Sequence, residues 1–325
     1  MARDRNTKGH WPDPNLSCGR RRWDFTVASF ALILLLVCPR ISSAQELEPR
    51  GLTNVPVSVN FAVLGYGYSA GNILLDPAVP IEDLDANLHV FVGAYVRSID
   101  FFGRSGKVDV VVPFAAGDWK GVVSGRDSST VRDGFGDLRV RLAVNFVGAP
   151  ALRVADYGNY RQDTIVGASL QVFAPLGQYD PSKLINLGSN RWTFRPQIGV
   201  SRAVGDWILE SYASAWLFTM NPDFFGGNEL KQAPLAAFKI HAIYTMPKRR
   251  SWLALNVGYA IGGRTKLNGV TMDTRISTFR FGVTLAFPLA LRHTVKLTGL
   301  TGVRLERGPD FDAVAVAYQY MWGGR

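Results

Sequence analysis

The residues from Gly136 to Phe146, GDLRVRLAVNF, alternate by side-chain character. Leu138, Val140, Leu142, Val144 and Phe146 occupy every second position, and Asp137, Arg139, Arg141 and Asn145 lie between them. Successive side chains of a strand point to opposite faces, so this stretch makes a ribbon with oil on one side and Arg, Asp and Asn on the other. Two environments accept such a ribbon: the half-buried strand of a soluble sandwich, and the wall of a transmembrane barrel with lipid outside and a polar lumen inside.

Length separates the two. The alternation recurs in segments at 57–68, 87–102, 106–116, 136–147, 163–176, 191–203, 206–220, 234–246, 251–262, 274–287, 293–305 and 313–322, most of them ten or more residues long. Soluble strands usually run to about five or six residues, whereas a tilted membrane-crossing strand needs about 9–11. The connections agree. GRS, VGD, PKRR and PLALR are short turns, and they alternate with longer links such as SAGNILLDPAVPIEDLDA, GDWKGVVSGRDSSTVRDGF and NPDFFGGNELKQA. Short turns at one end, long loops at the other and an even strand number are the layout of bacterial outer-membrane barrels. One link breaks the rule: Gly148 to Gln162 is long at the short-turn end. Trp192, Trp207, Trp252, Tyr259, Tyr318, Tyr320 and Trp322 crowd strand ends, as interfacial girdles require. No 20–50-residue repeat suggests a solenoid or propeller. The expected fold is an all-β, antiparallel transmembrane barrel of about 12 strands.

The chain ahead of the strands reads as a targeting segment. Arg20 to Arg22 precede the uncharged apolar run Phe25 to Val37, and Ser42-Ser43-Ala44 offers small residues for cleavage before Gln45. Thirteen apolar residues are too few to span a bilayer, so residues 1–44 are expected to be a signal peptide and 45–325 the barrel. Cys38 raises a lipoprotein alternative, but Leu35-Leu36-Val37 lacks the small residue expected before such a cysteine. Cys18 and Cys38 are the chain's two cysteines. The barrel residues therefore hold neither a disulfide framework nor a thiolate metal site. Removing the leader lowers the net charge from +10 to +6. No basic cluster interleaves with stacking aromatics, so nucleic acid is not an expected partner.

With the apolar register toward lipid, the expected inner face can be written out. It takes His89, Phe91, Tyr95 and Arg97 from the second strand, Lys107 and Asp109 from the third, and Asp137, Arg139, Arg141 and Asn145 from the fourth. Gln171, Phe173, Arg191, Arg195 and Gln197 follow, then Lys239, His241, Arg280, Lys296 and Arg304. Strand DWILESYASAWLFTM is ambiguous, because Glu210 shares its face with Ile208, Tyr212, Trp216 and Phe218. The preferred register puts Glu210 and those aromatics inside. A wall of this kind is basic with aromatics interspersed, and it attracts anions while offering apolar and cation–π contact. The plainer reading is that Asp137, Arg139 and Arg141 pair with one another and merely fill space.

Catalytic motifs are not expected. Gly65-Tyr66-Gly67-Tyr68-Ser69-Ala70 matches a dinucleotide fingerprint, but Pro77 and Pro80 follow where a helix is required. His89, His241 and His293 belong to no HExxH pair. A barrel lipase would need a His-Ser-Asn-Gly type of motif or a Gly-x-Ser-x-Gly elbow, and neither occurs. Asp310 and Asp312 read as solvated loop acids. No cofactor is expected.

Several stretches carry a family resemblance: QELEPRGLTNVPVSVNFAVLGYGYSAGNILLDPAVPIED, GFGDLRVRLAVNFVGAPAL, PLGQYDPSKLINLGSNRWTFRPQIGVS, LESYASAWLFTMNPDFFGG and FDAVAVAYQYMWGG. They resemble the MetA-type outer-membrane transporter family, named for a meta-pathway of phenol degradation. The resemblance implies a barrel that transports hydrophobic or aromatic compounds, and it supplies no catalytic residue. The final strand also resembles an outer-membrane assembly signal, although Gly323-Gly324-Arg325 follow its last aromatic. The expectation is thus an outer-membrane channel, not an enzyme. Its partners would be outer-membrane lipids, a small-molecule solute and the barrel-assembly machinery. The alternatives are a structural or ligand-binding barrel with a plugged, salt-bridged lumen, and a lipase; the sequence leaves open whether an external loop such as 117–135 or 221–233 folds inward.

Overall fold

The computed structural model describes residues 47–73, 76–79, 81–304 and 310–324. The signal-peptide reading of residues 1–44 lies outside them. Twelve antiparallel strands form one closed barrel. They are β1 (Val59–Asn72), β2 (Glu82–Phe101), β3 (Arg104–Val123), β4 (Arg126–Phe135, resuming at Leu138–Val147), β5 (Thr164–Ala174), β6 (Thr193–Val204), β7 (Trp207–Phe218), β8 (Leu235–Met246), β9 (Ser251–Gly262), β10 (Ile276–Ala290), β11 (His293–Arg304) and β12 (Asp310–Gly323). Each pairs with its neighbours in sequence. The ring closes where β1 meets β12, in register from Val59↔Gly323 to Asn72↔Asp310. Closure leaves no sheet edge, as lipid demands, because hydrocarbon offers backbone N–H and C=O groups no partner.

All twelve strands put a large apolar side chain on the outer surface, among them Leu64, Phe91, Val112, Leu142, Leu170, Ile198, Leu209, Ile240, Leu255, Phe281, Leu297 and Val316. This continuous belt is far beyond what a water-facing barrel tolerates. At the short-turn end, Tyr95, His293, Tyr318, Tyr320 and Trp322 form a run of ring contacts, including Tyr320–Trp322 at 5.6 Å. Trp252 is an exception to the expected girdle. It is buried on the inner wall beside Ile208, Ile243, Ala254 and Ala286.

Two expectations about the loop end change. Residues 117–135 are not a loop. β3 and β4 continue as a tall hairpin, paired to Val123↔Arg126 around Ser124 and Gly125, whose φ values of +51° and +72° suit a two-residue turn. Residues 221–233 form strands of their own. Asn221–Phe224 and Asn228–Gln232 pair with each other, and the latter also pairs with Thr265–Leu267, forming a small separate sheet. Ala78 and Val79, between β1 and β2, pack on Phe224 and Leu230 of that sheet. Arg191 of the β5–β6 connection reaches Asp76 at 3.3 Å and Gln232 at 2.7 Å. The long loops thus pack on one another at that end.

The candidate lumen

The lumen is occupied by the segment ahead of β1. Between Leu47 and Val57 the chain carries no alternating pattern, and its backbone groups find partners on the barrel wall instead of in a ladder. Lys107 on β3 donates to the carbonyls of Gly51 (2.8 Å) and Thr53 (3.0 Å). Asn145 on β4 donates to the Leu52 carbonyl at 3.0 Å. Glu210 on β7 accepts from the Arg50 amide at 2.7 Å, and also from Ser201 and Tyr212. The Tyr212 hydroxyl in turn accepts from the Leu52 amide. Glu48 pairs with Arg141 at 3.1 Å, and Arg141 also grips Asp109 at 2.6 Å. Burial pushes the Glu48 carboxyl toward its neutral form. The opposing attraction of Arg141, Lys296, Arg139 and Lys239 is stronger in sum, and the group is held well below the usual carboxylate range.

Glycines on the wall make room for this plug. A Cβ at Gly167 would lie 2.7 Å from the Leu52 side chain, and one at Gly199 would run into the Tyr212 ring. Leu52 is thereby buried against Ala149, Ile165 and Tyr212. The irregular Gly148–Gln162 link now has a physical reason. Its short helix, Val154–Tyr157, brings Tyr157 to the Asn54 carbonyl (2.9 Å), the Pro150 carbonyl accepts from Asn54, and the Leu152 carbonyl accepts from the Val57 amide. A long connection at this end clamps the root of the plug.

Of the residues expected inside, Arg139, Arg141, Asn145, Phe173, Arg195, Glu210, Lys239, His241 and Arg280 face the lumen. Nearer the loop end, Arg195 stacks over Trp216 (4.9 Å), Arg191 over Phe218 (4.8 Å) and Arg280 over Phe311 (5.5 Å). Phe173 meets Trp216 at 5.2 Å. Lys239 lies over Tyr212, and His241 shares a hydrogen bond with Asn256 at 2.7 Å.

Phe91, Tyr95 and Arg97 are corrections: they point outward. Phe91 is 50% and Tyr95 42% exposed, and their partners Tyr66 and Ala62 share the face of Leu64. β2 carries Asn87, His89 and Arg97 among its odd positions and only aliphatic residues from Leu88 to Val96 at its even ones, so alternation alone assigns the odd face to the lumen. Its aliphatic face turns inward because Leu84, Ala86 and Leu88 pack on Ala115, Trp119 and Phe311. The polar tips of the outward face find partners on β1: Tyr95 and Arg97 both donate to Asn60, and His89 shares a bond with the Tyr66 hydroxyl. Asp137 is also corrected. It lies in the break within β4 and accepts from the backbone amides of Gly177 and Ser189, tying down the β5–β6 loop.

The two sides of the lumen differ. The plug run Glu48–Thr53 is held by β3, β4 and β7. Away from those strands, the inner wall of β12, β1 and β2 carries Ala313, Ala315, Ala317, Val63, Gly65, Gly67, Val92 and Ala94. Ala315 is exposed although it faces inward, and a Cβ at Gly67 would meet nothing nearer than 3.7 Å. The lumen is therefore basic on the plugged side and lined by small apolar groups on the other.

Residues 69–315 match the family described as "Putative MetA-pathway of phenol degradation". The chain belongs to that family. Among solved structures, an outer membrane channel from Pseudomonas putida F1 superposes with a TM-score of 0.70 at 20% identity, covering 85% of this chain and all of the other. The transport unit of the autotransporter AIDA-I from Escherichia coli gives 0.50 at 12% identity, covering 90% and 97%. These likenesses establish a shared barrel fold. No curated protein matches the chain.

Proposed function

We propose that this family member is an outer-membrane channel for small hydrophobic or aromatic solutes, with the segment Leu47–Val57 as its gate. The observation that carries the reading is the two-sided lumen. A plug is held by polar groups on one wall, and a lane of Ala, Gly and Val runs along the opposite wall, where a partly apolar solute loses little on leaving water. The apolar belt and the fold shared with an outer membrane channel support insertion in that membrane. When the plug withdraws, Arg141 loses Glu48 and Lys107 loses two carbonyl partners. A carboxylate or phenolate then finds cations facing it, which would give entry by anions an electrostatic advantage.

The hydrogen-bonded plug also favours a second reading, a binding barrel that does not pass solute. The refolded protein in liposomes separates the two, with benzoate, phenol and glucose offered at equal concentration. The channel reading expects benzoate or phenol to enter faster than in protein-free liposomes, without matching glucose entry. Equal, negligible entry of all three, with insertion confirmed in the same sample, overturns it.

A further inference from the structure

One strand of the inner wall carries a column of rings, each with a cation over it. On β7 the lumen-facing positions include Phe218, Trp216, Tyr212 and Glu210, in that order from the loop end toward the short turns. Arg191 lies 4.8 Å over the Phe218 ring, Arg195 lies 4.9 Å over Trp216, and the Lys239 ammonium lies 5.4 Å over Tyr212. At about 3.3 Å per residue, the three pairs span about 20 Å of the strand. The cations come from the β5–β6 connection, from β6 and from β8, so they converge on the column from both sides of β7. Phe173 adds a further ring, 5.2 Å from Trp216.

A guanidinium or ammonium over a ring is attracted by the ring face, which fixes it in place while its N–H donors can still serve an anion. At Arg191 donors are in surplus. Its Nη2 donates to Asp76 and Gln232, while Nε and Nη1 are buried and have no hydrogen-bond partner among the described residues. A buried donor without an acceptor is costly, and a carboxylate arriving there supplies an acceptor without displacing a protein group. The foot of the column is Tyr212, whose hydroxyl joins the plug through the Leu52 amide and Glu210. The column therefore runs from the loop end down to the plug. In a ring of twelve strands β7 stands half-way round from β1, so the column faces the wall of small residues across the lumen.

We propose that this column is a binding track for planar aromatic carboxylates. The inference rests on the channel reading and deepens it, by naming the solute class and the wall that carries it. The carboxylate pairs first with Arg191 and then exchanges to Arg195 and Lys239, while the ring of the solute lies against the rings of the column. Each cation–ring pair serves both halves of such a solute: a positive charge for the carboxylate and an aromatic surface for the ring. A neutral ring gains only the second half and an aliphatic acid only the first, so the track favours molecules that carry both.

The test uses the refolded protein and three probes of similar size: benzoate, cyclohexanecarboxylate (an acid without an aromatic ring) and benzyl alcohol (a ring without a charge). Isothermal titration in detergent reads binding, and liposomes made from the same preparation read entry. The track predicts that benzoate binds about five- to tenfold more tightly than either other probe. Trp216→Leu brings benzoate to the level of cyclohexanecarboxylate, Trp216→Phe keeps the preference, and Arg191→Gln brings benzoate toward benzyl alcohol. Heat-modifiable gel migration confirms that each variant is folded, and Phe173→Leu, which removes the neighbouring ring, lowers the preference independently. Equal binding of the three probes by the native chain overturns the track, as does a benzoate preference that survives Trp216→Leu. Benzoate entry without the binding preference removes the track and leaves the channel standing. Preferential binding with no entry of any probe removes the channel and leaves the column as the site of a binding barrel.

Discussion

Leu52→Ala tests the plug at its most buried apolar anchor. Leu52 is 5% exposed and fills the niche left by Gly167, against Ile165 and Tyr212. Buried Leu→Ala substitutions cost about 2–5 kcal/mol, least where the site can relax. This niche opens on the lumen, so the lower part of the range applies, about 2–3 kcal/mol. At about 1.4 kcal/mol per tenfold, the ratio of docked to undocked plug falls about 30- to 140-fold. Leu52 precedes β1 and takes no part in the ladder, so barrel stability, followed as heat-modifiable gel migration, stays at the native value. The assay is single-channel recording in planar bilayers, read as the fraction of time in the higher-conductance level. A native open fraction in the variant refutes the assignment of Leu47–Val57 as gate. So does a loss of barrel stability that accounts for any change.

Three further outcomes follow from the same geometry. Gly199→Val drives a side chain into the Tyr212 ring and is expected to cost about 1–3 kcal/mol of overpacking, displacing Tyr212 from Glu210 and Leu52; proteolysis of the N-terminal segment in liposomes should speed up, whereas Ile198→Val, on the lipid face, should leave it native. Phe91→Arg places a charge in the lipid belt and is expected to destabilise the barrel by about 2–4 kcal/mol in urea titrations with lipid vesicles; a near-neutral effect would return Phe91 to the lumen. The Glu48 carboxyl is held below its ordinary range, so its contribution to plug docking is complete above the ordinary carboxylate pKa and is lost only as pH falls through the depressed value; between pH 7 and about 5 the open fraction of the native channel should therefore stay flat, while Glu48→Gln should raise it at every pH in that window.

Much of this molecule was legible from its alternation. Strand number, closure into a barrel and the inward placement of Arg139, Arg141, Asn145, Arg195, Lys239, His241 and Arg280 follow from one rule. A charge in mid-bilayer costs more than any local preference can recover, so polar residues in a long alternating strand choose the lumen. The rule also resolved Glu210, whose aromatic neighbours had left its strand ambiguous. It failed at β2, where the odd positions carry Asn87, His89 and Arg97 and yet the aliphatic even positions turn inward. There the direction was set by the apolar cluster that Leu84, Ala86 and Leu88 join with Trp119 of the adjacent β3, Phe311 of β12 and Ile185 of the β5–β6 connection, and by the β1 groups that received Tyr95 and Arg97.

The plug had no signature of its own. LEPRGLTNVPV has neither period nor motif, and its place depends on groups from Lys107 to Tyr212 that only closure of the ring brings together. Its one trace was indirect, the overlong link at Gly148–Gln162. Sequence by itself determined the element type, the lipid belt and the charge of the inner wall, because those depend on period and solvation. Tertiary structure alone decided what fills the lumen, because that depends on residues far apart in the chain meeting across a closed ring.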